Sequence, residues 1–299
     1  PPGRRTRNLR MAPACFRPAP PPRTSTAFAA ALLAGAPAAQ AHDTWFEAVR
    51  GGAGTPRAEA PAPVVLALGT GTRFPAYEFP VGMEQIVRSG CRAGGGAADT
   101  PLRLVLDRPT SVLLRSAAPL PSERAVSCWA QLAPAAVDLD PGIVAEYMDE
   151  IQAPPAVREA WAAMQQRGVR WRETYTKHAR IELGAATAAA AARVPMAMDV
   201  LMDAPQRPVR AGDTVAFQVL RDGAPLAGLA VELHPEDGRP GRWVQTDGDG
   251  RVRLAVDRPG RWLLRGTELR VVPGADRWVS GFVTLAFDVV AAPVSAPAR

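Results

Sequence analysis

The sequence has few of the residue types that usually carry chemistry. Its 299 residues include three cysteines, three histidines and a single lysine, Lys177. No Gly-x-Ser-x-Gly motif is present, and no helix signal or lysine follows the glycine-rich run 69–72, so neither a nucleophile elbow nor a phosphate-binding loop is predicted. No apolar run reaches the roughly 20 residues that a membrane-spanning helix needs. We therefore expect no transmembrane segment in the mature chain.

The first 41 residues have the pattern of a signal peptide. Arg17 and Arg23 form a basic region, residues 27–35 form a short apolar region, and Ala39-Gln40-Ala41 supplies small residues before a cleavage site. Residues 1–10 precede the first methionine and need not belong to the natural chain. The pattern predicts a periplasmic protein whose mature chain begins at His42.

Removing this segment changes the charge of the protein. Six of the 35 basic residues and none of the 29 acidic residues lie in residues 1–41. The mature chain therefore carries equal numbers of both signs. A balanced charge gives no argument for a nucleic-acid partner, and none is predicted.

Cysteine usage agrees with export. Cys15 leaves with the signal peptide, and Cys91 and Cys128 remain. In an oxidising compartment such a pair predicts one disulfide, which would stabilise the fold by about 3–4 kcal/mol. The alternative is a thiolate metal site, although the two cysteines do not form a Cys-x-x-Cys pair.

The mature chain is predicted to be mostly β, with two antiparallel β-sandwich-like domains joined by a short helical insert. Alternating apolar and polar residues and glycine-rich turns at regular spacing are typical of such strands. The predicted segments are an N-terminal β domain at 42–140, the insert at 141–183, an alanine-rich linker at 184–195, an Ig/transthyretin-like sandwich at 196–291 and a tail at 292–299.

Twelve candidate strands follow from these patterns. Those of the first domain are Trp45–Arg50, Val64–Leu68, Glu84–Arg88, Leu102–Leu106, Thr110–Ser116 and Arg124–Leu132. Those of the second are Asp213–Leu220, Leu229–His234, Arg242–Thr246, Arg251–Val256, Arg261–Arg270 and Phe282–Val290.

The insert is predicted to contain three helical stretches. Asp140-Pro141 resembles an N-cap followed by proline at the first helical position, and Pro155 opens a second helix. In the third stretch, Trp171, Tyr175 and His178 would share one helix face. Glu173 and Lys177 would then form a stabilising pair four residues apart.

Several passages resemble a known family. They are His42-Asp43-Thr44-Trp45-Phe46-Glu47, the run from Arg172 to Lys177, Gly223 to Gly228 with Thr246 to Arg251, and Gly260-Arg261-Trp262. Together they resemble an exported bacterial family of unknown function, formerly labelled NikM-like and linked by name to nickel uptake. The resemblance covers most of residues 42–290, and its C-terminal part resembles transthyretin-like and carboxypeptidase-regulatory-like sandwiches.

His42 is the leading candidate for a metal ligand. If the chain is cut before it, the α-amine and the imidazole can chelate one divalent ion, and nitrogen donors suit Ni, Cu and Zn. Asp43 and Glu47 would add oxygen ligands, and His178 would add an imidazole from the insert. The alternative is that His42 simply begins a strand and His178 packs in the core. We expect His234 to be an exposed turn residue.

The predicted function is therefore a soluble periplasmic binding or accessory protein that binds or delivers a transition metal (Ni, Co, Cu or Zn) through His42. Its expected partner is an envelope or metal-transport protein. The alternative is a non-catalytic structural or protein-interaction module of the cell envelope. No enzyme is predicted, since a copper-dependent oxidase would need a second imidazole beside His42.

Overall fold

A computed structural model describes residues 42–49, 62–121, 124–184, 193–203 and 208–293. These residues form seventeen strands, two α-helices and one short 3-10 helix, so the prediction of a mostly β protein is confirmed. Neither α-helix is long and apolar enough to cross a bilayer, within the part of the chain that is described. The predicted signal peptide and most of the alanine-rich linker lie outside the described residues.

The elements are numbered along the chain. The strands are β1 (Asp43–Ala48), β2 (Val65–Gly71), β3 (Phe79–Pro80), β4 (Ile86–Ala93), β5 (Leu102–Asp107), β6 (Ser111–Ser116), β7 (Val126–Leu132), β8 (Ala135–Val137), β9 (Glu173–Leu183), β10 (Met198–Asp203), β11 (Thr214–Arg221), β12 (Ala224–Pro225), β13 (Ala230–Pro235), β14 (Arg242–Gln245), β15 (Arg251–Ala255), β16 (Gly260–Val271) and β17 (Trp278–Val289). The helices are α1 (Pro141–Glu150), α2 (Pro155–Gln166) and the 3-10 helix Met83–Gln85.

The strands form three sheets. The N-terminal sheet has the order β1-β2-β6-β5, with β3 beside β2. The central sheet has the order β14-β13-β16-β17-β9-β7-β4, with β8 beside β9. The C-terminal sheet has the order β10-β11-β12, with β15 beside β11.

The central sheet is covered on both faces. Along β17, Val283 and Leu285 face the core that the C-terminal sheet closes, whereas Phe282 and Ala286 face the opposite side. On that opposite side, Ala286 packs with the N-terminal sheet and Phe282 packs with the helices. Because side chains alternate along a strand, one strand supplies apolar residues to both cores.

The central sheet runs through both predicted domains. It takes β4 and β7 from the first, β9 from the insert, and β13, β14, β16 and β17 from the second. Most pairings are antiparallel, as expected, but β9 and β17 are parallel, with Lys177 opposite Phe282 and His178 opposite Val283. A parallel pair needs a long connection between its strands, and here the whole C-terminal sheet lies in that connection.

Two of the three predicted helical stretches are confirmed. Proline stands at the first position of both α1 and α2, where its missing N–H would have had no partner inside the helix. The third prediction is wrong, because residues 173–183 form strand β9. Strand β9 pairs with β17 on one side and with β7 and β8 on the other, and a helix at this position could not form these hydrogen bonds to distant strands.

The disulfide is confirmed. Cys91 and Cys128 lie directly opposite each other on β4 and β7, and their sulfur atoms are 2.03 Å apart. Both residues are fully buried in the core beneath the N-terminal sheet. The bond therefore joins the edge strand of the central sheet to its neighbour.

Strand β5 differs from its predicted half-buried pattern. Leu102 is buried, but Leu104, Val105 and Leu106 are each about half exposed, at 46%, 52% and 50%. β5 is an edge strand, and a register shift between Leu104 and Leu106 interrupts the alternation. A bulge is defined by how a strand pairs with its neighbour, so the sequence pattern of β5 alone does not reveal it.

Candidate functional site

His42 lies at the edge of a cavity on the face of the central sheet that carries the N-terminal sheet. The cavity measures about 240 Å³. Its lining residues are His42, Thr70, Phe79, Pro80, Val81, Gln85, Leu132, Ala133, Ala135, Tyr175 and Lys177. We call this cavity the N-terminal pocket. The imidazole of His42 makes an edge contact with the Phe79 ring, with centroids 4.8 Å apart.

Lys177 reaches the pocket from β9. Its neighbour in the parallel register is Phe282, and alternation places both side chains on the same face of the sheet. The ammonium lies 5.6 Å from the centre of the Tyr175 ring and 5.9 Å from that of Phe282. Such distances are within the range of cation–π attraction. Lys177 has no hydrogen bond or ion pair with any residue in the described part of the chain.

The surroundings of the pocket disfavour positive charge. Burial lowers the pKa of Lys177 to about 8, with nearby Asp43 opposing the shift. Burial also lowers the pKa of His42, and the charge of Lys177 lowers it further. Burial raises the pKa of Tyr175. At neutral pH the imidazole is therefore held neutral, and the pocket presents one ammonium and neutral polar groups.

Asp43 is engaged by a neighbouring cluster. The guanidinium of Arg265 donates to Asp43 at 2.9 Å and to Glu232 at 2.6 Å, and Glu150 lies 3.6 Å away at the end of α1. The Trp243 ring lies 5.6 Å from the same guanidinium. Asp43 is thus a buried counter-ion of Arg265 at the place where the N-terminal sheet, the central sheet and α1 meet.

His178 lies on the opposite side of the central sheet from Lys177. Its Nδ1 is 2.9 Å from the backbone oxygen of Phe282, and its Nε2 is buried without a hydrogen-bond partner among the described residues. Burial lowers the pKa of His178, so the ring is neutral at pH 7. The alternation of β9 keeps this imidazole away from the pocket that His42 lines.

Arg180 shares that opposite face and is fully buried. Its guanidinium donates to both carboxylate oxygens of Asp199 at 2.9 Å, to Glu182 at 2.7 Å and to Ser127 at 2.7 Å. Asp199 belongs to β10, so this ion-pair network joins the central sheet to the C-terminal sheet. All the partners lie within the folded chain, which indicates a structural role.

Glu47 points to a different cavity. It pairs with Arg261, which also pairs with Glu236 at 2.5 Å. These three residues line an open groove of about 900 Å³. Four residues along a strand separate Asp43 from Glu47 by about 13 Å. Glu47 therefore does not join His42.

His234 is not the exposed turn residue that the sequence suggested. It lies in β13, its ring centre is 5.7 Å from that of Phe74, and its Nε2 is buried. Burial lowers its pKa. The following Pro235 also belongs to the strand, at the position where β13 pairs with Trp262.

The predicted metal ligands His42, Asp43, Glu47 and His178 do not converge on one point. Across the described ranges, no three His, Cys, Asp or Glu side chains form a group that could hold a metal ion. Metal binding by His42 itself stays a prediction.

The residues that sequence reasoning missed are Lys177 and Tyr175. The chain has a single lysine, and this rarity could have drawn attention to Lys177. The helical interpretation instead paired Lys177 with Glu173. In the strand, Glu173 is buried and instead accepts hydrogen bonds from Tyr147 and Trp171, both at 3.0 Å, and from Ser280.

The comparison with family models gives one match. The model of DUF4198, a domain of unknown function, matches residues 39–267. None of the curated proteins matches the chain.

Proposed function

The chain belongs to the DUF4198 family of unknown function, and on that premise we propose that it is an exported periplasmic binding or accessory protein that takes a transition metal ion at His42. The observation that carries the proposal is the position of His42, whose imidazole stands at the edge of the N-terminal pocket and is held neutral by burial and by Lys177. Neutral imidazole is the form that binds metals.

The residues fit a two-nitrogen ligand better than a closed metal cage. Cleavage before His42 would add its α-amine to the imidazole, giving a chelate that suits Ni, Co, Cu or Zn. No further His, Cys, Asp or Glu of the described residues completes a group of three. An ion held this way keeps open positions, as expected of a protein that passes its metal to an envelope or transport partner.

The C-terminal part supports the proposed resemblance to transthyretin-like sandwiches. Strands β11 and β15 pair antiparallel, and their buried residues pack on β13, β16 and β17. Two sheets facing each other around a shared apolar core are typical of a β-sandwich. This part supports the site structurally, and none of its described residues lines the N-terminal pocket.

Calorimetric titration of a chain beginning at His42 tests the metal proposal. We expect Ni, Co, Cu or Zn to bind with a dissociation constant below about 100 μM, which corresponds to about 5.5 kcal/mol. The matched control retains Ala41, which removes the free α-amine from His42 and should weaken binding at least about tenfold. Absence of binding by all four metals, or equal binding by both chains, would refute the proposal.

A second candidate function is a non-catalytic interaction module of the cell envelope. The observation that favours it is edge strand β5, where Leu104, Val105 and Leu106 are exposed in succession. An apolar edge strand offers unpaired backbone groups and apolar surface to another chain.

A photo-reactive residue at position 105 should then give one defined cross-linked product in envelope fractions. The same residue at exposed position 253 on β15 is the control, and equal labelling from both positions would contradict this function.

A further inference from the structure

Arg180, Arg265 and Lys177 are cations of the central sheet that differ in their partners; Arg180 is fully buried and the other two are partly buried. Arg180 has Asp199 and Glu182, and Arg265 has Asp43 and Glu232. Lys177 has only the faces of two aromatic rings within the described part of the chain. A desolvated cation is costly unless a negative group compensates it. The fold meets this requirement directly for both arginines, whereas Lys177 feels only the charge of Asp43, which is already paired with Arg265.

Neither Asp43 nor Glu78, the carboxylates that act on the pocket, forms an ion pair with Lys177. Asp43 is bound by Arg265 at 2.9 Å. Glu78, which lies near His42, accepts a hydrogen bond from the Thr72 hydroxyl at 2.7 Å. Among the described residues, therefore, no carboxylate pairs directly with Lys177, and a bound anion would supply that partner.

The N-terminal pocket has the composition of a site for a small amphipathic molecule. Besides Lys177, the lining includes His42 and Tyr175, two residues whose side chains can form hydrogen bonds. The lining also includes the apolar side chains of Phe79, Val81 and Leu132. A few convergent polar groups in an otherwise apolar cavity are typical of ligand sites.

We propose that the N-terminal pocket binds a small organic carboxylate, whose negative group pairs with Lys177 and whose hydrocarbon part lies against Phe79, Val81 and Leu132. This site goes beyond the metal proposal, because its ligand is an anion and its anchor, Lys177, is not one of the proposed metal ligands. The cavity volume of about 240 Å³ suits a ligand of several heavy atoms rather than a single ion.

The presence of one lysine makes a direct test possible. Reductive methylation with ¹³C-formaldehyde labels only Lys177 and the chain's α-amine, and methylation keeps the positive charge. The full chain from His42 is titrated with acetate, butyrate and hexanoate in the presence of EDTA, and with hexanamide as the neutral analogue. We expect a saturable shift of the Lys177 signal that tightens with chain length, and no shift with hexanamide.

Calorimetry with hexanoate supplies a second readout. Lys177→Met should weaken binding at least about tenfold, because a charge-assisted contact is lost. Arg253→Met, at an exposed position of β15, removes the same charge and should leave binding unchanged. The labelled wild-type chain keeps the test valid even if Lys177→Met does not fold.

Three outcomes would overturn the proposal. They are no saturable shift at hexanoate concentrations up to about 50 mM, equal responses to hexanoate and hexanamide, and a shift with inorganic phosphate but with none of the carboxylates. Because EDTA is present throughout, failure of metal binding at His42 would leave this result unaffected, and the two proposals can fail separately.

Discussion

Lys177 and Arg180 lie three residues apart on β9 and show how one strand serves two purposes. Arg180 faces the C-terminal sheet, where two carboxylates and a serine hydroxyl satisfy its guanidinium. Lys177 faces the N-terminal pocket, where two rings and no carboxylate of the described chain contact it. Arg180 therefore links two sheets through internal ion pairs, whereas Lys177 has no ion pair with the described residues, which is why we propose that it meets a ligand.

The largest expected effect comes from replacing Arg180, whose guanidinium has its charge partners within the protein. Arg180→Met would leave Asp199 and Glu182 as uncompensated buried charges, and we expect a loss of about 3–5 kcal/mol in the free energy of unfolding. Urea denaturation followed by circular dichroism measures the loss. Arg253→Met, which removes an exposed guanidinium, is the control. A loss below about 1 kcal/mol would mean that the ion-pair network does not link the central sheet to the C-terminal sheet.

An intermediate effect is expected at Arg265, whose side chain is 17% exposed. Arg265→Met should cost about 2 kcal/mol, since hydrogen bonds to charged groups are lost. It should also release the carboxylate of Asp43, which then compensates Lys177. The pKa of Lys177, about 8 in the native chain, should therefore rise, and NMR titration of the labelled lysine would detect the change. An unchanged pKa would show that Asp43 is too far away to act as a partner.

The third expected effect is no larger than that at Arg265, and it has the opposite sign. Burial lowers the pKa of Lys177 from 10.5 to about 8, so the charged form destabilises the fold. Lys177→Met should stabilise the protein by about 2 kcal/mol at pH 7, where the lysine is protonated in both states. The gain should shrink as pH rises above about 8 and vanish above the unfolded-state value, because lysine is then neutral in both states.

Urea denaturation of the wild type and the variant at several pH values measures this difference. Lys177→Leu is a matched variant with a similar apolar side chain and should behave in the same way. A loss of stability in both variants at pH 7 would indicate that the contacts with Tyr175 and Phe282 outweigh the burial of the charge.

Local patterns predicted part of this architecture well. The strands of the C-terminal part, both helices that begin at proline, and the disulfide between Cys91 and Cys128 follow from features that nearby residues or simple counting reveal. Strand β9 does not, because its residues are also compatible with a helix when read alone. Whether the segment becomes a strand or a helix depends on pairing with β7 and β17, and β17 lies about a hundred residues further along the chain.

The candidate site shows the same division. His42 could be selected from the sequence, since a predicted cleavage site and the rarity of histidine both point to it. Its neighbours could not, because Lys177 and Tyr175 reach the pocket only through the register of β9.

The sequence by itself determined the mostly β class, the cysteine pair and the balance of charges in residues 42–299, because composition and short-range periodicity encode them. The tertiary structure alone decided that His178 lies away from His42, that Asp43 pairs with Arg265 and that Lys177 has no ion-pair partner among the described residues. These facts depend on which face of a strand each side chain occupies and on which distant strand lies opposite, and both are set when the sheets pack.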